Sequence, residues 1–259
     1  MPWTLVGWTE SQDSASLVNV AALADPHVRV SGDDVVVPAN LNFVFGVYAI
    51  GGSITRAQLV SPSIRRRYPF EVTPLEIASE PADPVKYLPF PQSPVQLDPD
   101  ESLNFQAAEN GAGANQSTGL AWLSDGPISP IVGSEIFTIR ATNTSTLGAY
   151  AWTNGALTFN DSLPSGDYAV VGMRASSAGL IAARLVFSQY PWRPGCIGMD
   201  TLGEVGAPCF RMGQLGEWGT FSHNTPPTVD FLSLSADTSQ TVDLDLIMIT
   251  GRLSGSGRM

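Results

Sequence analysis

The chain has 259 residues, a mass of 27.5 kDa and a formal charge of −11, from 24 acidic and 13 basic residues. That length holds a full core without disulfide or metal staples, and 43% apolar against 14% charged residues argues against disorder. An acidic surface repels nucleic-acid backbone, so neither a general coating role nor a sequence-specific nucleic-acid partner is expected. No apolar run approaches the ~18 residues of a membrane span, and no basic segment followed by an apolar core opens the chain, so no signal peptide is read.

Gly and Pro are spread along the whole chain, which predicts many turns and short strands. Strand-like segments follow one another at Thr4–Thr9, Val28–Val30, Val35–Val37, Asn42–Ala49, Ile54–Val60, Phe70–Val72, Ser102–Ala107 and Gly119–Leu123. The later half offers Glu135–Ala141, Ala156–Phe159, Tyr168–Arg174, Leu180–Phe187, Thr228–Leu234 and Val242–Thr250. In the last of these Val242, Leu244, Leu246 and Met248 share one face, and Asp243 and Asp245 share the other, read as solvated. Helix signals are few. Thr73-Pro74-Leu75-Glu76 combines a capping threonine, a first-turn proline and a capping-box glutamate, and Pro81 limits that helix to about two turns. Ala15–Ala24 reads either way.

An internal repeat organises the chain. With a shift of 126 residues, Pro38–Arg67 lies over Pro164–Arg193 without a gap. Identities are Pro38/Pro164, Val44/Val170, Gly46/Gly172, Ala49/Ala175, Ala57/Ala183, Leu59/Leu185, Val60/Val186 and Arg67/Arg193. The same shift sets Leu103-Asn104-Phe105 over Val229-Asp230-Phe231 and Gly119–Ser124 over Asp245–Thr250, apolar on apolar. A period of that size with about eight strands is a β-sandwich, not a solenoid turn. The expected class is therefore all-β: two tandem eight-stranded jelly-roll sandwiches with long loops and at most short helices. The expected units are 1–127 and 132–250, joined through Asp125–Pro130, with 251–259 a flexible tail. Two long Pro- and Gly-rich excursions, Glu80–Pro99 and Pro194–Pro227, occupy matching places.

Chemistry-bearing constellations are sparse, and no catalytic, cofactor-binding or metal-binding residue is assigned. The two histidines, His27 and His223, are not equivalent under the shift, which disfavours a cupin-type metal site in each sandwich. No G-x-S-x-G elbow occurs. Asp98, Asp100 and Glu101 could supply oxygens to a structural calcium, but their spacing is not that of an EF-hand. Facing carboxylates could hydrolyse a glycoside, yet most acidic residues sit in turns such as Ser31-Gly32-Asp33-Asp34. Cys196 and Cys209 are expected to be reduced thiols, though their spacing also permits a bridge. Arg65-Arg66-Arg67 reads as a solvated turn, as arginines that pair with Asp or Glu across an interface, or as a contact for phosphate or lipid headgroups. Tyr190, Trp192 and Trp218 gather around the second excursion, where rings either stack on sugars or anchor subunits.

The tandem repeat, its jelly-roll-sized period and the long loops at equivalent places resemble the small double jelly-roll major capsid proteins. That lineage includes adenovirus hexon and the coats of tailless, often lipid-containing bacterial viruses. The resemblance implies a structural, non-enzymatic coat protein. It would be made in the host cytoplasm and reside in the virion, and its homotrimers would be pseudo-hexagonal and tile an icosahedral shell. The implied partners are further copies of the chain, minor virion proteins and, in lipid-containing members, an internal membrane. The alternative is a tandem β-sandwich that binds carbohydrate or a receptor, which solvent-facing Trp192 and Trp218 would favour.

Overall fold

A computed structural model of the chain describes residues 2–67, 70–71, 88–201 and 207–251. The helix read at Thr73 and the tail after residue 251 lie outside them. In the first half, one sheet runs β1 (Trp3–Gln12), β11 (Asn115–Ser124), β5 (Phe43–Gly51), then β8 (Leu88–Pro89), with β9 (Val95–Gln96) also on β5. The facing sheet runs β3 (Val30–Ser31), β4 (Asp34–Val36), β10 (Ser102–Glu109), β6 (Ile54–Val60) and β7 (Phe70–Glu71), and β2 (Val18–Asn19) pairs with β10.

The second half repeats this plan. One sheet orders β12 (Phe137–Asn143), β20 (Gln240–Gly251), β15 (Gly166–Ser176) and β18 (Gly219–Ser222). The other orders β13 (Thr153–Gly155), β19 (Thr228–Ser233), β16 (Leu180–Val186) and β17 (Gly195–Met199). Counting principal strands along either half, one sheet reads first, eighth, third, sixth, and the other second, seventh, fourth, fifth. That is the strand order of a jelly roll. We call these the front and back sheets. β14 (Thr158–Phe159) adds to β12, and a short parallel pairing of β15 with β17 joins front and back in the second half. No strand of one half pairs with a strand of the other among the described residues.

The repeat is visible in the register. β6 and β16 lie 126 residues apart from end to end, and Ala57, Leu59, Ala183 and Leu185 are all buried. The hairpin between β3 and β4 sets Ser31 opposite Asp34 across two residues, and Gly32 takes a φ of 63°, which suits glycine. The ambiguous Ala15–Ala24 stretch is extended, with Val18–Asn19 on β10 and Ala22 bridging Trp8. The α-helix among the described residues is α1 (Pro62–Arg67). Ser61 Oγ accepts the Ile64 amide at 3.1 Å as its cap, and Pro62 opens the first turn. The two excursions are not plain loops. They carry β8 and β9 in the first half and β17 and β18 in the second, so the strands that close each sandwich lie inside Pro-rich sequence.

Alternation along the front sheet of the first half serves two cores. Val6, Trp8, Val44, Ala49, Ala121 and Leu123 face Leu59, Leu103, Phe105 and Ala107 of the back sheet. Trp3, Leu5, Phe45, Tyr48, Ile50, Leu120 and Trp122 join a second cluster with residues of the other half. Both faces are thus covered, which accounts for the nearly unbroken apolar run Leu41–Ile50. Single-sided sheets alternate, whereas sheets buried on both sides read as continuous apolar sequence.

Candidate assembly faces

The junction between the halves is built from unlike faces. The outer side of the first half's front sheet meets the second half's back sheet and the segment around Phe210 and Trp218. Trp3 meets Trp218 edge-on at 4.7 Å, and Trp122 lies 5.7 Å from Phe210. Leu5 donates its amide to the Arg193 carbonyl at 2.9 Å, and Trp122 Nε1 donates to the Gly195 carbonyl at 2.8 Å.

A buried charge cluster sits at this seam. The Arg184 side chain on β16 is 0% exposed. Its Nη1 donates to the Leu5 carbonyl at 3.0 Å and to Asp25 at 2.5 Å, and its Nε donates to Asp230 at 3.1 Å. The guanidinium lies 4.0 Å from the Trp152 ring centre. Arg193 also pairs with Asp230, which accepts from Asn154 at 2.8 Å as well. Burial pulls the Arg193 pKa down, against the opposing charge of Asp230. Partial burial, and then the Arg193 charge, hold His27 below the ordinary imidazole value. A buried charge is tolerated only when it is paired and hydrogen-bonded. The cluster therefore fixes the register of one half on the other. Sequence reasoning missed it, although a single arginine inside the apolar strand Leu180–Phe187 and an aspartate between Val229 and Phe231 were its signals.

The outer face of the second half's front sheet corrects a second expectation. Asp243 and Asp245 alternate with the core residues as read, but they are 3% and 0% exposed rather than solvated. Asp243 accepts from Arg140 Nε at 2.8 Å and from Arg174. Asp245 accepts from Arg211 Nε at 2.7 Å, the Met212 amide at 2.8 Å and Thr138 Oγ1 at 2.7 Å. Burial pushes both carboxyls up, but the arginine hydrogen bonds outweigh it and leave both below the usual carboxylate range. The two-residue period identifies two faces; it does not reveal that Arg140 and Arg174 from neighbouring strands, and Arg211 from the segment after Phe210, roof the polar one. Around this roof Ile249 and Met212 remain 51% and 48% exposed.

The outer face of the first half's back sheet is polar and open. Gln58 Nε2 donates to Gln106 Oε1 at 2.6 Å, and Gln106 Nε2 donates to Asn19 Oδ1 at 2.8 Å. Beside this relay lies a cleft of about 440 Å³ whose lining includes Asn19, Asp34, Arg65, Ser102 and Asn104. Arg65–Arg67 form the last turn of α1. Arg66 pairs with Asp98, and Arg67 Nη1 donates to the Gln96 carbonyl at 2.7 Å, so the run reads as a turn with an acidic partner.

The remaining candidates separate. Asp98 is turned to Arg66, and Glu101 accepts from Ser63 at the start of α1. No group of three or more His, Cys, Asp or Glu placed to hold a metal occurs among the described residues. His223 contacts Ser165 and the Gly166 amide at 3.4 Å. Cys196 and Cys209 are free thiols, and burial pushes them up to about 12 and about 11. Trp218 is 1% exposed and Trp192 is half-buried, stacked on Tyr190 at 4.5 Å. Trp218 is therefore a core residue of the junction, not a solvent-facing platform for sugars, because the segment that carries it folds under the front sheet.

No protein-family model matches the chain, and no curated protein is significantly similar to it. Among solved structures it is similar to the crystal structure of the major capsid protein P2 from bacteriophage PM2. That likeness covers 96% of this chain and 98% of the other at 8% identity, with a TM-score of 0.24. At that score the two backbones do not superpose as one framework. The jelly-roll description of this chain rests on its own strand order, found twice in one polypeptide.

Proposed function

We propose that the chain is a structural coat protein of a virus, assembling as homotrimers with a pseudo-hexagonal outline that tile an icosahedral shell. One observation carries this reading: two units with the same strand order stand in one chain, front sheet of one on back sheet of the next. A contact between unlike faces leaves one unlike face free at each end, and repetition of such a contact builds rings or filaments. Two units per chain make a three-chain ring of six similar units, which suits a six-neighbour lattice position. On this reading the protein resides in the virion after synthesis in the host cytoplasm. Neighbouring capsomers, minor virion proteins and an internal membrane are the partners to look for. The carbohydrate-binding alternative loses its main support with the burial of Trp218.

Sedimentation together with electron microscopy of the purified chain tests the proposal. The expected species has three times the chain mass and a six-lobed outline, and buries more than ~2,000 Å² in total, as obligate assemblies do. A monodisperse monomer at micromolar concentration would overturn it.

A further inference from the structure

We propose that the outer face of the first half's back sheet, on β6 and β10 around Asn104, seats the outer face of the front sheet, β20 and β12, from the second half of another copy. This contact presupposes the self-assembly proposed above. Its first support is positional. Gln58 and Arg184 occupy the same place in β6 and β16, and each faces a polar partner across its ladder, Gln106 and Asp230 respectively. In the second half that pair is sealed by β1 of the first half, with Arg184 bonded to the Leu5 carbonyl and Asp25. In the first half the equivalent pair lies beside an open cleft.

The second support is an unmatched acceptor. Asn104 is 5% exposed and lines the cleft. Its Nδ2 donates to the Asp33 carbonyl and to Asp34 Oδ1, each at 3.1 Å, while Asn104 Oδ1 meets no donor. A buried acceptor without a donor is costly, and a small turn of the Asn104 amide toward the cleft lets a donor from outside relieve it.

The occupant follows from charge and from the contact the chain already makes. The second half's front face carries Arg140, its side chain 45% exposed, next to Arg174, with apolar Ile249 close to the end of β20. Its guanidinium donors complement Asn104 Oδ1 and Asp34. The intrachain junction already pairs front with back through arginine and aspartate, and a front-on-back contact between copies continues that series until three chains close it.

The test uses full-length chains bearing Ser102→Cys or Ile249→Cys, both at exposed positions, co-expressed and treated with a long-armed bis-maleimide, because Ile249 lies six residues along β20 from Asp243, the residue opposite Arg140. Covalent dimers joining residue 102 of one chain to residue 249 of another are expected in the mixture. Neither variant alone should cross-link, and the buried Cys196 and the half-buried Cys209 should remain unlinked. If the wild type sediments as an assembly but the mixture gives no such product, or if S102C links to itself as readily, this contact is wrong while self-assembly stands. A wild type that sediments as a monomer removes both.

Discussion

Truncating Arg184 to alanine tests the seam directly. The substitution removes one cation that two carboxylates and the Leu5 carbonyl share in a site closed to water. Asp230 keeps Arg193 and Asn154, so most of the damage falls on Asp25. The Asp25 carboxylate, 4% exposed, retains the His27 amide at 2.8 Å. Stranding one charge of a buried pair costs ~3–5 kcal/mol. For a chain of this length each kcal/mol lowers Tm by roughly 2–4 °C, so a fall of about 10 °C is expected. Arg184→Lys should lie between, since an ammonium cannot reproduce the planar fork that reaches several acceptors at once. Pairing Arg184→Met with Asp25→Asn should recover part of the loss, because no lone charge is left buried. Calorimetry and urea unfolding followed by tryptophan fluorescence measure these differences. A loss below ~1 kcal/mol for Arg184→Ala, the size expected of a surface pair, would show that water reaches the seam and would refute the argument.

Three further outcomes are expected. Asp243 and Asp245 have folded pKa values below their unfolded ones, so their stabilisation is complete above the ordinary carboxylate value and is lost as pH falls through the depressed folded values. Unfolding midpoints should therefore be flat in this respect from about pH 5 upward and drop below about pH 4, less so in Asp243→Asn; a midpoint unchanged down to pH 3 contradicts this. Neither Cys196 nor Cys209 should react with an aromatic disulfide reagent in the native protein at neutral pH, since both thiols stay protonated, and both should react in denaturant; prompt native labelling of Cys196 would show that its site opens. Gly119→Ala places a methyl 2.5 Å from the Phe105 ring that packs across the sandwich, so denaturation should reveal a loss of ~1–3 kcal/mol, and a neutral result would mean that Phe105 moves freely.

Much of the fold was legible because β structure writes a two-residue period and duplication writes a second copy of it. Ile54–Val60 and Leu180–Val186 were read with no error or one residue of error in their bounds, since apolar alternation between turn signals marks both ends. β17 and β18 were not, because Gly195–Met199 and Gly219–Ser222 lie among prolines and glycines, and strands of four or five residues there form only by pairing with β16 and β15. α1 was missed because its six residues hold little periodicity, and its first turn is held by Glu101, which accepts the Ser63 amide from the edge of β10.

By itself the sequence determined the class and the doubling: apolar spacing, turn residues and a 126-residue register are local properties of the chain. Tertiary structure decided which polar residues are buried and against what. Asp243 was a surface residue by periodicity and became a buried one because Arg140 and Arg174 arrive from neighbouring strands. Arg184 and Asp25 are 159 positions apart and become partners only when one sandwich closes on the other. Burial of a charge depends on every element packed around it, and no window of sequence contains that information.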